Sequence, residues 1–214
     1  MIQRGWFKLA MVMLIVSLIV FPGSGYATGM TDQRLIQAAH RNDVPAIEIL
    51  LKEGVDLNTR DSQGRTALLV AVDKNYIEAG RLLIEAGADV NAQDFSQDSP
   101  FLLAGARGNL ELVKAMLTAG PDVNLYNRFG GTALIPAAER GHVETVNVLL
   151  GTAIDVNHVN RLGWTALLEA VILGQGKKPH QEIVQALIAA AADVNLADPD
   201  GVTPLQHAKK KGFK

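Results

Sequence analysis

Histidine and acidic side chains are the groups in this 214-residue chain that could carry out acid–base chemistry or bind a metal ion. The five histidines share no common sequence context: they are His40, His142, His158, His180 and His207. They form no His-Glu-x-x-His motif and no close cluster with aspartate, and no Gly-x-Ser-x-Gly motif supplies a nucleophile. The lack of cysteine excludes a thiol nucleophile and cysteine metal sites. We therefore expect no enzymatic activity, no catalytic residues, no metal and no cofactor.

Five aspartates recur within a pentapeptide of the type Gly-Ala-Asp-Val-Asn. They are Asp56, Asp89, Asp122, Asp155 and Asp193. The first four are evenly spaced, and the last interval is longer than the others. A row of carboxylates could form a binding site, but Asp and Asn side chains also bond the neighbouring backbone in turns. Because the pentapeptide recurs in every unit, we interpret it as architecture.

A fixed period of about 33 residues indicates stacked units that bury their apolar faces against one another. An apolar pair that closes a helical pattern precedes each pentapeptide, and a polar turn follows it. A Thr- or Ser-led apolar run comes next, led by Thr66, Ser99, Thr132, Thr165 and Thr203. Each of these hydroxyls is expected to accept a hydrogen bond from an N–H group in the first turn of a helix.

These features resemble the ankyrin repeat, in which a turn, a TPLHxA-led helix, a short turn, a second helix and a GADVN loop form one unit. The resemblance covers roughly residues 31–214. It implies an all-α solenoid with short β-hairpin fingers, made of five repeats and a partial sixth. The family's TPLH histidine is absent, and apolar packing is expected to replace its hydrogen bonds. The residues at that position are Leu69, Leu102, Ile135, Leu168 and Gln206.

Left-handed turn residues are predicted between and after the paired helices. They are Asn75, Gly108 and Gly141 between helices, and Gly54, Gly87 and Gly120 after them. Ala153 and Ala191 stand near the latter position, so weaker helix ends are expected there. Pro136 should cost at most one helical hydrogen bond.

Two departures from the regular repeat concern its last units. Five extra residues within 174–180 are expected to lengthen the turn between the fifth pair of helices, because insertions in repeat arrays map to loops. The sixth unit supplies a helix over 204–211 and no second helix, so we expect this end to fray.

The N-terminal segment, residues 1–27, has the composition of a secretory signal peptide. Arg4 and Lys8 precede an apolar stretch that runs from Leu9 to Phe21, and Ala27 ends a small-residue cleavage motif. That stretch would cover about 20 Å as a helix, less than the roughly 30 Å of a bilayer core, which disfavours the alternative of an uncleaved anchor. We interpret residues 1–27 as a cleaved leader and 28–214 as the ankyrin-repeat domain. This predicts a periplasmic or secreted protein with no stable membrane insertion.

The net charge of the whole chain is −2. Removing residues 1–27 takes away two positive charges and no negative ones, which leaves −4. An acidic chain of this kind is a poor match for nucleic acid or anionic membranes. The expected partner is another protein, and the chain itself is expected to be a monomer.

The loops between each pentapeptide and the next Thr or Ser vary from repeat to repeat, so they are the candidate binding positions. By resemblance to the family, their side chains line the face that grips a partner. Exposed aromatic and arginine residues are typical of interface hot spots. The candidates are Phe95, Tyr126, Arg128, Phe129, Arg161 and Trp164. The alternative is that the aromatics lean on the adjacent loop and stiffen the array.

Two functions remain open on this basis. The first is a periplasmic interaction module, in keeping with the stress-related or accessory roles of similar bacterial proteins. The second is a secreted effector that binds host proteins. An enzymatic role would need a further domain outside the repeats.

Overall fold

The computed structural model describes residues 27–213, and within them it contains eleven α-helices and no β-strand. The predicted leader, apart from Ala27, lies outside the described residues. The helices are α1 (Ala27–Arg41), α2 (Val44–Lys52), α3 (Ala67–Asp73), α4 (Ile77–Glu85), α5 (Pro100–Arg107), α6 (Leu110–Thr118), α7 (Leu134–Glu139), α8 (Val143–Leu150), α9 (Ala166–Leu173), α10 (Lys178–Ala189) and α11 (Pro204–Lys210).

The helices form two parallel rows. Each odd-numbered helix contacts the next odd-numbered helix, and each even-numbered helix contacts the next even-numbered one. Five helical pairs followed by α11 alone confirm the predicted all-α solenoid of five repeats and a partial sixth. The short β-hairpins predicted for the fingers are absent from residues 27–213, where turns without β-strands join the repeats. None of the helices in this range has the length and apolar character needed to span a bilayer.

One continuous apolar core runs along the stack because each repeat contributes the same positions. The buried positions of the odd-numbered row are Leu35, Leu68, Phe101, Leu134 and Leu167. Those of the even-numbered row are Leu50, Leu83, Met116, Leu149 and Leu187. The residues that replace the TPLH histidine are buried in four repeats, as apolar packing required. In the sixth, the exposed Gln206 instead forms a capping box with Thr203.

Four of the five predicted hydroxyl caps are present. Thr66, Ser99, Thr165 and Thr203 accept from the N–H group three residues on, at 3.2–3.3 Å. The prediction is wrong for Thr132, whose buried Oγ1 has no hydrogen-bond partner among the described residues. Pro136 has no N–H to bond the Thr132 carbonyl, so the first helical bond runs from Ala137 N–H to the Ala133 carbonyl and α7 begins later, with Ala133 as its N-cap.

The predicted left-handed residues all have positive φ, from 54° at Asn75 to 91° at Gly87. Ala191 also adopts a φ of +64°, which is costly for a residue with a Cβ atom. Ala153 does not have a positive φ. There the Thr152 hydroxyl ends the helix by donating to the Leu149 carbonyl at 2.6 Å and accepting from Ile154 N–H at 3.2 Å.

The extra residues of the fifth repeat lie between its two helices, as predicted. The turn runs from Gly174 to Lys177, and α10 begins about one turn earlier within its repeat than α8 does. The opposite edge of the repeat, which carries the pentapeptide, is unchanged by the insertion.

A ladder of hydrogen bonds connects the pentapeptides. The Asn side-chain oxygen of one repeat accepts from the Asp backbone N–H of the next. The four bonds are Asp89 to Asn58 (3.0 Å), Asp122 to Asn91 (2.9 Å), Asp155 to Asn124 (3.1 Å) and Asp193 to Asn157 (2.7 Å). Each Asp carboxylate accepts from the N–H two residues on, at 2.8–3.0 Å. The architectural interpretation of the periodic aspartates is therefore confirmed.

Replacing Ala191 with glycine should raise stability by about 1 kcal/mol, which corresponds to about 2–4 °C in Tm for a domain of this size. The gain comes from removing a Cβ from a left-handed position. Ala153→Gly is the matched control and should bring no gain, because its backbone is not left-handed. Thermal melts of the two variants would contradict this account if both shifted Tm alike.

Amides of α11 should exchange with solvent faster than those of α9. In the described residues no second helix covers α11, and Leu205 and Ile188 are exposed although their counterparts Leu167 and Leu150 are covered. Native-state hydrogen exchange measures this directly. Equal protection across 204–211 and 166–173 would show that the end does not fray.

Candidate protein-binding surface

The fingers share one backbone design. Each begins with an Asp or Asn whose Oδ1 accepts from the N–H groups two and four residues on, at 2.8–3.1 Å. These first residues are Asp61, Asp94, Asn127, Asn160 and Asp198. The fourth residue of each finger is left-handed: Gly64, Gln97, Gly130, Gly163 and Gly201. The side-chain bonds hold the finger backbones in fixed turns, so the tip side chains project from a defined support.

Neighbouring fingers touch at their tips. A Cβ built on Gly64 would lie 2.8 Å from the Phe95 ring, and one on Gly130 would lie 2.8 Å from Arg161 Cγ. Pro199 crosses Gly163 in the same way. Glycine is therefore needed at these positions both for the left-handed turn and for the close approach of the next finger.

Three hydrogen bonds join the third finger (residues 127–131) to the fourth finger (residues 160–164) and to His158, which lies just before the fourth finger. Arg161 donates from its backbone N–H to the Phe129 carbonyl at 2.9 Å and from Nη1 to the Arg128 carbonyl at 2.7 Å. His158 Nε2 lies 2.6 Å from the Gly130 carbonyl. These bonds make the two fingers a preorganised pair.

Most of the predicted binding residues remain accessible on the fingers or directly beside them. Phe95 is 78% exposed and Phe129 51% exposed. Tyr126 stacks on His158 with ring centroids 4.4 Å apart. Arg128 lies over the Phe129 ring at 4.8 Å and 3.7 Å from an Asp98 carboxylate oxygen. The side chains at the tips therefore combine the two alternatives that the sequence left open. They pack against neighbouring fingers and also keep part of their surface exposed.

Trp164 is half-buried, although its loop position had suggested a solvent-facing side chain. It lines a cleft of about 410 Å³ bounded by the third and fourth fingers, α7 and α9. This volume lies within the usual range of ligand pockets, about 300–1,000 Å³. Phe129 and Leu162 line the same cleft, so three apolar side chains of the joined fingers surround one recess.

Glu169 of α9 also lines this cleft and is only 5% exposed. Its Oε1 accepts from Asn160 Nδ2 at 3.2 Å, while its Oε2 has no hydrogen-bond partner among the described residues. Sequence reasoning missed this residue. The available signal was the repeat register, which places Glu169 in line with Val70, Leu103 and Pro136.

Burial and, to a smaller extent, the charge of the Glu139 carboxylate together raise the pKa of Glu169 from 4.5 to about 7, while the Asn160 hydrogen bond acts to lower it. The two arginines at the cleft are directed to other partners. Arg140 donates to the Ala106 carbonyl of the preceding repeat, and Arg128 pairs with Asp98. Within the described residues, neither Glu169 nor Glu139 has a cation within ion-pair distance.

The histidines are separated and serve local contacts. His158 stacks on Tyr126, the His180 Nε2 lies 2.8 Å from the Glu139 carbonyl, and the His207 Nε2 lies 2.7 Å from an Asp198 carboxylate oxygen. Over residues 27–213, no group of three His, Asp or Glu side chains could hold a metal ion.

The chain belongs to the ankyrin-repeat family. The sequence model described as "Ankyrin repeats (3 copies)" matches residues 13–94 and 101–198. An ankyrin repeat domain from Acinetobacter baumannii AYE is 56% identical with a TM-score of 0.81, over 83% of this chain and 91% of that one. The ankyrin repeat protein EF0377 is 40% identical with a TM-score of 0.82, over 85% of this chain and 92% of that one. No curated protein matches the chain. Ankyrin repeats are generally non-catalytic modules that bind proteins.

Glu169→Gln should raise Tm at pH 8 and change it little at pH 4. The pKa of Glu169 is about 7 in the folded protein, above its ordinary value of 4.5. The protonated carboxyl therefore contributes its full stability below about pH 4.5. This contribution is lost as the pH rises through about 7. Removing the buried charge should therefore increase the free energy of unfolding at pH 8 by on the order of 2 kcal/mol.

The exposed Glu144 of α8 provides the control for this pair of melts, since Glu144→Gln removes the same charge from the surface. Tm differences between wild type and Glu169→Gln that stay constant from pH 4 to pH 8 would rule out a buried, titrating Glu169.

Proposed function

We propose that this protein is an exported, non-enzymatic module that binds another protein through its third and fourth fingers, as an accessory or stress-related factor of the bacterial periplasm. The observation that supports the binding surface most strongly is the joined finger pair, which presents Phe129, Leu162 and Trp164 around one recess. The leader-like composition of residues 1–27 supports export.

Two physical properties favour this surface over the other exposed parts of the repeats. Aromatic and arginine side chains contribute most to protein interfaces when they lie in a well-packed centre. The finger pair is also held by three hydrogen bonds, two from Arg161 and one from His158, so little conformational freedom would be lost on binding. The two rows of helices provide a rigid support for the two fingers.

Changing Phe129 and Trp164 together to alanine should weaken partner capture by roughly tenfold or more. The helical circular-dichroism signal and Tm should remain nearly intact, because neither residue belongs to a helix or to the buried core. Ile49→Ala, which removes an exposed apolar side chain from α2, is the control and should retain capture. Unfolding of the double variant would show that the aromatics are structural.

Crosslinking in the native envelope can identify the partner. A photoreactive residue at position 162, at the exposed tip of the fourth finger, should give a discrete adduct, whereas one at position 49 should not. The adduct should appear in osmotic-shock fluid and contain a chain that begins at Thr28. Adducts from both positions alike, or a chain that retains residues 1–27 in the cytoplasm, would contradict the proposal.

A further inference from the structure

The cleft between the third and fourth fingers contains an acid whose hydrogen-bonding capacity is only partly used. Glu169 is more than nine-tenths buried, and its Oε2 has no donor among the described residues. Leaving a buried charged oxygen without a donor is costly, and native structures avoid it unless a ligand or a proton satisfies it.

A second carboxylate adds charge repulsion to the unsatisfied oxygen of Glu169. Glu139 of α7 lines the same cleft, and its charge disfavours ionisation of Glu169. A bound cation would relieve both at once, whereas a neutral donor would satisfy only the hydrogen bond.

The apolar walls also suit a cation on a long side chain. Trp164 and Leu162 line the same cleft as the acids, so an aromatic ring and apolar surface for a methylene stem are available there. Arg128 already lies over the Phe129 ring, which shows that a guanidinium fits against these fingers. Both cleft arginines are engaged elsewhere, so neither of them neutralises Glu169.

We propose that this cleft binds a basic side chain of the partner protein, with arginine as its best occupant and with Glu169 and Glu139 as its counter-ions. This inference rests on the proposed function, because it names the chemistry by which the same surface would recognise its partner. Arginine is favoured over lysine because its planar guanidinium can donate to a carboxylate and stack on an aromatic ring together.

Binding of such a side chain depends on pH, since Glu169 attracts it only when its carboxyl is ionised. The charged and titratable groups that face Glu169 are Glu139 and Arg140 from α7 and Arg128 from the third finger. His180 of α10 lies behind Glu139, against its backbone carbonyl. Affinity should therefore be higher at pH 8 than at pH 5.5.

The test uses N-acetyl-L-arginine methylamide as the probe and the uncharged N-acetyl-L-citrulline methylamide as its isostere. The side-chain carboxyl carbons of ¹³C-labelled glutamates are followed by NMR across pH. The arginine analogue should lower the titration midpoint of Glu169 by about one unit, as expected for a cation held beside a carboxylate. The citrulline analogue should leave the midpoint unchanged, and the lysine analogue should produce a smaller shift.

Three variants separate the cation site from general effects of charge. Glu169→Gln should weaken binding of the arginine analogue at pH 8 by at least tenfold, and Glu139→Gln, on a less buried residue, by a smaller factor. The surface variant Glu144→Gln should bind as wild type does. Circular dichroism checks the fold of each variant, and Glu139→Gln keeps the test valid if Glu169→Gln unfolds.

Equal binding of the arginine and citrulline analogues, unchanged binding in both cleft variants, or no shift of the Glu169 midpoint would each overturn the inference. Because these measurements need no partner protein, they are independent of the crosslinking experiment. A discrete adduct at position 162 together with no response to arginine would leave the proposed binding surface in place and refute the cation site alone.

Discussion

The hydrogen bond from the Asp N–H of one pentapeptide to the Asn side chain of the preceding one sets the spacing on which the rest of the structure depends. It recurs at four successive interfaces with nearly the same length. The apolar core alone would hold the helices together, but burial is non-directional and would tolerate sliding between repeats. The Asn bond adds direction, so each repeat takes one position relative to the next.

The same bond explains why the fifth repeat tolerates five extra residues. The bond from Asp193 to Asn157 spans the insertion, yet it is as short as those between regular repeats. The added residues are taken up at Gly174–Lys177 and in the first turn of α10, on the edge of the repeat away from the pentapeptides. The fingers begin only a few residues after each Asn. The ladder therefore keeps them aligned while the opposite edge varies.

The fold was predictable from the sequence because every repeat carries the same local signals for helix ends and turns. Thr66 and Gly108 indicate where helices begin and end, and the fixed period of the pentapeptides gives the packing order. At Thr132 two of these rules conflict, because the hydroxyl favours a helix start there whereas Pro136 removes the N–H that the first helical bond would need. The effect of the proline dominates, and Thr132 does not cap the helix. Phe129 was foreseen as an exposed tip because a position that differs in every repeat cannot be required by the stack.

The cleft was not predictable from the sequence, because it is made where two fingers and two helices meet in space. Its walls come from Phe129, Leu162 and Trp164, and its acids, Glu139 and Glu169, come from the first helices of two successive repeats. Sequence spacing alone does not show that Trp164 turns toward this recess. The repeat register marks position 169 as unusual, but burial and the unpaired Oε2 appear only in the folded structure.

The position of Glu169 argues that stability alone did not select it. Val70 and Leu103 occupy the same position in other repeats, and such apolar side chains can be covered without cost. A carboxylate there must either bind a proton or remain charged in a poorly solvated site, and both outcomes weaken the fold near neutral pH. In proteins whose local sequence preferences agree with the fold elsewhere, a residue that departs from them usually lies at a functional site. Here the exception lies beside the exposed aromatics of the joined fingers, so the cost to the fold falls at the surface that we propose as the binding site.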